Sequence, residues 1–152
     1  MRIRSIGLAI VTAVLLWSGV GVAAPEGRLI EITGNDQMKY SVAVTTAKPG
    51  ELLHVRLKSL GTLPKIAMAH NFVLLAKGTD PAAFTNASAT ASTTGYIPAQ
   101  FKAKVLASSG LVGPGETVDV TFKAPAAPGK YVYLCSFPGH FVAGMKGVLT
   151  VK

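Results

Sequence analysis

Apolar and polar residues alternate along most of the chain, which is the pattern of strands with one buried face. In segment 52–60, for example, Leu53, Val55 and Leu57 would share one face and polar residues the other. Turn signals rich in Pro and Gly separate such segments, as at Pro49-Gly50. The segments that predict strands are 28–33, 38–44, 52–60, 71–76, 103–107, 117–123, 130–135 and 147–152. About eight short strands with this spacing predict an all-β fold, an antiparallel sandwich or barrel.

Segment 79–96 departs from this pattern because it is rich in Ala, Ser and Thr. Asp80 followed by Pro81 is a good helix start, with Asp as N-cap and Pro in the first turn. We expect a short helix over 82–87 and then a flexible loop to Gly95. The segment is too short and too polar to hold a core of its own, so it is an insertion within a single domain.

The first residues predict a secretory signal. Arg2 and Arg4 precede an apolar run over 6–22, and small residues close it. We therefore assign residues 1–23 to a signal peptide and 24–152 to the folded domain. The run could also be read as a marginal membrane anchor, in which case the protein would contact the membrane only through a retained segment. The small residues at its end favour cleavage.

The charge of the predicted mature domain excludes one class of partner. Without the signal, thirteen basic residues remain against seven acidic ones, a net charge of about +6. The basic residues are scattered, and no basic run with interleaved aromatic residues occurs, so we expect no nucleic-acid binding. The charge would give solubility and some steering toward an acidic partner.

The single cysteine lies in the densest cluster of metal-binding side chains. An unpaired thiol is unusual in an exported domain, where cysteines are generally paired or absent. Cys135 could be an inert buried thiol, but His140 and Met145 follow it within eleven residues, and His70 stands just before a predicted strand. Two His and one Cys with a weak axial Met are the ligands of blue-copper electron-transfer sites. The remaining histidine, His54, lies on the polar face of its strand and outside this cluster.

The motifs of this cluster are recognisable. Cys-Ser-Phe-Pro-Gly-His at 135–140, followed by Met-Lys-Gly at 145–147, closely resembles the copper loop of azurins in the cupredoxin family. Segment 63–74, Leu-Pro-Lys-Ile-Ala-Met-Ala-His-Asn-Phe-Val-Leu, resembles the other azurin ligand segment, and Asn-Asp-Gln-Met at 35–38 resembles the N-terminal part. The resemblance covers most of the chain outside segment 79–96. It implies the cupredoxin fold, a Greek-key β-sandwich or barrel of about eight strands with a short helical insertion.

The resemblance also implies the ligands of one type 1 copper ion. His70, Cys135 and His140 would be the strong equatorial ligands, with the cysteine bound as thiolate, and Met145 the weak axial ligand. Four residues separate His140 from Met145. Azurins have three there, so the loop spacing is closer to that of the related auracyanins.

Further roles follow from the same resemblance. The backbone N–H groups of Asn71 and Phe137 would donate to the Cys135 sulfur, and the Asn71 side chain would tie the two ligand loops together. Such donors stabilise negative charge on sulfur. His140 would lie near the surface within an apolar patch where partners dock. That patch would consist of Met68, Phe137, Pro138, Gly139 and Phe141.

The function expected from these residues is electron transfer. The protein would be a periplasmic blue-copper carrier of a bacterium, cycling between Cu(I) and Cu(II) with redox proteins such as c-type cytochromes or a terminal reductase or oxidase. We do not expect an enzyme, because four protein ligands leave no open position for a substrate. The alternative is copper delivery or storage, although such proteins usually expose Met-rich or His-rich segments that this chain lacks.

Overall fold

The computed structural model describes residues 27–152, so the predicted signal peptide and its boundary lie outside the described residues. Two sheets face each other, one with strand order β1-β3-β6 and one with order β2-β8-β7-β4-β5. The predicted fold class is confirmed, as an open sandwich and not a closed barrel. The strands are β1 (Arg28–Gly34), β2 (Val44–Ala47), β3 (Leu52–Ser59), β4 (Val73–Leu75), β5 (Val105–Ser108), β6 (Thr117–Lys123), β7 (Gly129–Leu134) and β8 (Lys146–Val151). The helices are α1 (Lys65–Met68), α2 (Pro81–Ser88) and α3 (His140–Ala143), with 3₁₀ turns at Ser92–Thr94 and Ala99–Lys104.

The alternation of apolar residues builds the core between the sheets. Leu53, Val55 and Leu57 of β3 are each at most 1% exposed, as predicted. They face residues such as Tyr133 and Leu149 of the other sheet, which belong to the same buried cluster. Each fully buried aliphatic side chain of this kind contributes about 1.5–3 kcal/mol. This core is what holds the loops of the site in fixed positions.

The prediction of a purely antiparallel sandwich is wrong for two strand pairs. β1 runs parallel to β3, with Arg28 opposite Leu53, and β2 runs parallel to β8, with Val44 opposite Val148. Alternation reports which face of a strand is buried, and it carries no information on the direction of the neighbouring strand.

The strand predicted over 38–44 is also wrong. Met38 has a positive φ of 56°, and the Asn35 side-chain oxygen accepts the Gln37 N–H at 3.1 Å, so a turn occupies the start of this segment. Only Tyr40 pairs briefly, with Gly34, and β2 does not begin until Val44. The side-chain hydrogen bond of Asn35 competes with strand pairing, as Asn commonly does in turns.

The predicted helix is confirmed over Pro81–Ser88, with the Asp80 carboxylate accepting the Ala82 N–H at 2.9 Å. As expected, the insertion does not hold a core of its own, because Phe84 packs with Val73, Leu75 and Leu134 of the sandwich. Phe84 is fully buried in a second cluster, where its ring meets that of Phe101 edge to face at 5.5 Å. The loop expected up to Gly95 contains a 3₁₀ turn.

The strands of both sheets run between the same two ends of the sandwich. At one end, Gly34 closes β1 opposite Ser59, the last residue of β3. In the other sheet, Leu134 at the end of β7 lies opposite Lys146 at the start of β8. The end that holds Gly34 and Met145 is called the proximal end below, and the opposite one the distal end. Within residues 27–152, no helix is long and apolar enough to cross a membrane.

Candidate metal centre

Two loops at the proximal end carry the predicted site residues. His70 is held just before β4 by a pair of backbone hydrogen bonds with Val112, at 2.9 and 2.8 Å. Cys135 follows β7, and its N–H donates to the Met145 carbonyl at 3.1 Å. The loop from Cys135 to Met145 turns at Gly139, whose φ of 83° favours glycine. His140 then begins α3, and the Met145 N–H donates to the His140 carbonyl at 2.9 Å. The loop is therefore closed on itself by the backbone.

The structure brings three of the predicted ligands together. The Nδ1 atoms of His70 and His140 lie 3.2 Å apart, and Cys135 Sγ lies 3.4 Å from His140 Nδ1. One donor atom from each residue falls within 4.8 Å of the other two. All three side chains are at most 1% exposed. Two imidazole nitrogens and one sulfur converging in a buried space form a donor set that fits copper.

Met145 lies beside these residues and is fully buried. The Met145 side chain lies against the backbone of Gly34. A Cβ built on Gly34 would lie 2.7 Å from Met145 Cε and 2.9 Å from His70 Cδ2. The thioether end of Met145 and the His70 ring therefore meet over the Gly34 backbone. This contact places the side chain of the fourth predicted ligand next to His70.

Burial makes the site electrically neutral when no cation is present. It raises the pKa of the Cys135 thiol to about 12, against the opposing effect of the Asn71 and Phe137 backbone N–H groups. It lowers the pKa of His140 to about 4, with the neighbouring His70 adding to the effect. The pKa of His70 is lowered from its usual value by burial as well. Two neutral imidazoles can bind a cation directly, and a bound cation would stabilise the thiolate that forms when the Cys135 thiol loses its proton.

The predicted tie through the Asn71 side chain is confirmed. Its side-chain oxygen accepts the Ser136 N–H and its amide donates to Ser136 Oγ, both at 2.9 Å, so the His70 and Cys135 loops are tied together. The backbone N–H groups of Asn71 and Phe137 lower the pKa of the Cys135 thiol. These donors support a negatively charged sulfur, as proposed from the sequence.

Gly34 and Tyr40 also shape the site, although sequence reasoning missed them. The Tyr40 hydroxyl donates to the Asn71 carbonyl in the buried interior. Gly34 leaves room for Met145 and His70. A signal was present in the sequence, because both residues flank the Asn-Asp-Gln-Met segment that carries the family resemblance.

One expectation about the site's surface is wrong. His140 is only 1% exposed, whereas the sequence placed it near the surface. The Phe137 ring lies 4.8 Å from the His140 ring and is itself 9% exposed, so it covers the imidazole. Pro138 and Gly139 are the exposed members of the predicted patch, while Met68 and Phe141 are half-buried.

The third histidine lies away from the site. His54 is on β3, where its Nε2 lies 2.9 Å from Asp119, and Arg56 reaches the same carboxylate at 2.8 Å. The interpretation of His54 as a polar-face residue outside the metal cluster is consistent with this position. It therefore offers a matched control for substitutions of the two buried histidines.

Comparisons with known proteins agree with this geometry. The family described as copper binding proteins, plastocyanin/azurin family, matches residues 28–152. Azurin of Pseudomonas denitrificans is 37% identical over 126 residues, which cover 81% of this chain and 97% of that protein. Auracyanin-B of Chloroflexus aurantiacus is 42% identical over 87 residues, 57% of this chain and 37% of that protein. The solved structure of dithionite-reduced auracyanin from Roseiflexus castenholzii has a TM-score of 0.72 and 34% identity, covering 82% of this chain and 96% of that one.

Proposed function

Because this chain belongs to the plastocyanin/azurin family of copper-binding proteins, we propose that it is an exported blue-copper electron carrier. Copper is its cofactor. The observation that carries the proposal is the convergence of His70, Cys135 and His140, whose donor atoms lie within 4.8 Å of one another in a buried space. The apolar run near the N-terminus supports export to the periplasm, after removal of residues 1–23.

In this proposal His70, Cys135 and His140 would hold the ion strongly, and Met145 would hold it weakly. Copper when bound supplies a one-electron couple between Cu(I) and Cu(II). The soft sulfur of Cys135 suits the reduced ion, while the imidazoles of His70 and His140 suit both oxidation states. The same residues can therefore serve before and after the electron moves.

The surrounding residues keep the donors fixed and dry. The ties between Asn71 and Ser136 fix the distance between the two loops, and the covering ring of Phe137 excludes water from His140. A site whose side chains are locked by packing and hydrogen bonds needs little rearrangement on electron transfer. All donors are protein side chains, which leaves no open position for substrate chemistry, and so no enzymatic reaction is proposed.

Partners would dock on the proximal end. Ile66 of α1 is 91% exposed and Val142 of α3 is 84% exposed, so apolar side chains flank both loops of the site. A shallow groove of about 400 Å³ lies beside Ile66, with Tyr96 and Phe137 in its lining. An apolar exposed face of this kind is typical of interaction surfaces. We propose that redox proteins such as c-type cytochromes or a terminal reductase or oxidase bind here.

The experiment is a copper titration of the purified protein followed by visible absorption. Cu(II) should produce an intense band near ~600 nm from charge transfer between the Cys135 thiolate and copper. Cys135→Ser should abolish the band, and His140→Ala should weaken or shift it. His54→Gln is the matched control and should leave it unchanged. A colourless copper complex, or equal effects of the His140 and His54 substitutions, would contradict the proposed ligand set.

Copper delivery is the competing function, and a second measurement separates it. The donors of His70, Cys135 and His140 are buried, which favours retention of the ion over transfer to another protein. We expect stopped-flow mixing with a reduced c-type cytochrome to oxidise the cytochrome rapidly, with the copper staying on this protein. Very slow electron exchange together with rapid loss of copper to a chelator would favour delivery instead.

A further inference from the structure

The distal end of the sandwich gathers lysines from both sheets. Lys77 follows β4 and its ammonium group lies beside Gly129, next to Lys130 at the start of β7. Lys104 belongs to the same region, because its carbonyl accepts the Ala76 N–H at 2.8 Å. This places three of the lysines around the distal end of the larger sheet.

Two further lysines extend this group, one at the end of the smaller sheet and one in the turn that leads from β2 of the larger sheet to β3 of the smaller one. Lys123 ends β6 opposite Leu52, the first residue of β3. Lys48 follows β2, and its carbonyl accepts the Glu51 N–H at 3.1 Å. Both sheets therefore contribute to one basic surface. The distal lysines, as they are called below, are Lys48, Lys77, Lys104, Lys123 and Lys130.

The charge of these lysines is not compensated locally. All five are exposed, and no salt bridge within residues 27–152 joins any of them to a carboxylate. The nearby Glu51 carboxylate is taken by Arg28, whose Nε lies 2.6 Å from it, so that pair adds no net charge. At the proximal end, by contrast, Lys65 is paired with Glu116 at 2.6 Å. Lys39, Lys58 and Lys146 at the proximal end also form no salt bridge within residues 27–152. The distal end therefore holds the larger share of the unpaired positive charge, five lysines against three.

The N-terminal segment joins the domain at this same end. Arg28 begins β1 at the distal end, opposite Leu53, and residues 1–26 precede it in the sequence. Their apolar run over 6–22 brings the chain to a membrane during export. In the export proposed above, the basic surface is therefore at the end of the domain to which the membrane-directed segment is joined.

We propose that the distal lysines bind an anionic lipid surface. Mobile anionic headgroups can meet lysines that are spread over a whole end of the molecule, whereas nucleic acid would call for a basic groove with aromatic side chains. Each lysine near such a surface contributes a factor of about five to membrane partition. The contact does not require that the N-terminal segment be retained. It holds the copper site away from the membrane, open to soluble redox partners.

The test is sedimentation with lipid vesicles, using the full chain expressed in a bacterium and purified with the N-terminus that the cells produce. Mass spectrometry establishes that N-terminus, and copper is loaded before the assay. One set of vesicles contains phosphatidylcholine alone, and the other contains added phosphatidylglycerol. The distal variant is Lys77→Gln/Lys123→Gln/Lys130→Gln. The matched control, Lys58→Gln/Lys65→Gln/Lys146→Gln, removes the same charge from the proximal end.

We expect binding to the anionic vesicles and little to the neutral ones. The distal variant should bind at least about tenfold more weakly, and the control variant by no more than about twofold, since its charges lie beyond the screening length. Circular dichroism checks that both variants are folded. If the distal triple variant is unfolded, the double variant Lys48→Gln/Lys104→Gln takes its place in the binding assay. Equal binding to both vesicle types, no binding to either, or equal losses in the two variants would overturn the proposal. The outcome does not depend on electron transfer.

Discussion

At the residue scale, the absence of a side chain at Gly34 leaves the space that Met145 and the His70 ring occupy. Its backbone lies where a Cβ would come within 2.7 Å of Met145 Cε and 2.9 Å of His70 Cδ2. Contacts that close require one of the two side chains to move. Met145 is the more flexible of the two, because a thioether chain has three rotatable bonds.

Gly34→Ala should therefore displace Met145 more than the His70 ring. We expect a shifted visible band and an altered reduction potential, with a loss of stability of about 1–3 kcal/mol from overpacking. Spectroelectrochemistry and denaturant unfolding measure the two effects. Gly110→Ala, where an added Cβ meets no atom within 4 Å and the backbone, as at Gly34, is not left-handed, is the control for backbone effects of the substitution. An unchanged spectrum and potential would show that Met145 does not contact the metal.

Tyr40 acts on the site through Asn71. Its hydroxyl donates to the Asn71 carbonyl, and Tyr40→Phe would leave that buried carbonyl without this donor at a cost of about 1–3 kcal/mol. We also expect a change in reduction potential, because Asn71 positions a donor to the Cys135 sulfur. Tyr133→Phe is the matched control, since its hydroxyl donates at 2.7 Å to the Val42 carbonyl, outside the two ligand loops. Potentials that shift equally in both variants would refute a specific role for Tyr40.

At the element scale, the sequence predicts strands better than it predicts what lies between them. β6 matches its prediction over Thr117–Lys123 because strict alternation continues to both ends. Segment 38–44 has the same composition signals, but the Asn35 turn and the left-handed Met38 break the pairing. That outcome depends on a side-chain hydrogen bond and a backbone angle, which hydrophobic patterning does not encode.

In the metal site too, some features are predictable from the sequence and others depend on the packed fold. The ligand types and their spacing predict His70, Cys135 and His140 as one cluster, which the structure assembles. The contribution of Gly34 was not predictable from patterning, because it arises from the approach of β1 to the copper loop across the two sheets. Contacts between distant segments depend on the packed fold, and a motif search does not reach them.

The insertion supplies a test of element-level packing. Phe84 of α2 is fully buried although its neighbours are Ala, Thr and Asn. Phe84→Ala should lower the free energy of unfolding by about 3–5 kcal/mol, as expected for a large buried aromatic residue. The visible spectrum of the folded copper form should not change, because Phe84 lies in the second core cluster, apart from the site residues. Asn86→Ala, on the exposed side of the same helix, should change stability little. A small effect of Phe84→Ala in chemical denaturation would show that the insertion packs loosely.

At the scale of the whole molecule, the two ends of the sandwich differ in chemistry. The proximal end is apolar around a buried metal-binding cluster, with Ile66 and Val142 exposed beside it. The distal end carries the five distal lysines, none of which forms a salt bridge within residues 27–152. Opposite ends of a rigid sandwich can serve two contacts at once, since a partner at one end does not cover the other.

Copper binding should also stabilise the molecule as a unit, because it links the start of β4 to the loop between β7 and β8. A ligand that binds only the folded state, present at about a thousand times its dissociation constant, adds about 4 kcal/mol. For a domain of this size that corresponds to a rise in Tm of roughly 10–20 °C. Differential scanning calorimetry with and without copper measures it. Cys135→Ser keeps the shape of the side chain but lacks the thiolate, so copper should raise its Tm far less, while His54→Gln should show the full rise. An equal rise in Tm for the Cys135 variant would show that copper stabilises the protein at some other site. That result would contradict the assignment of Cys135 as a copper ligand.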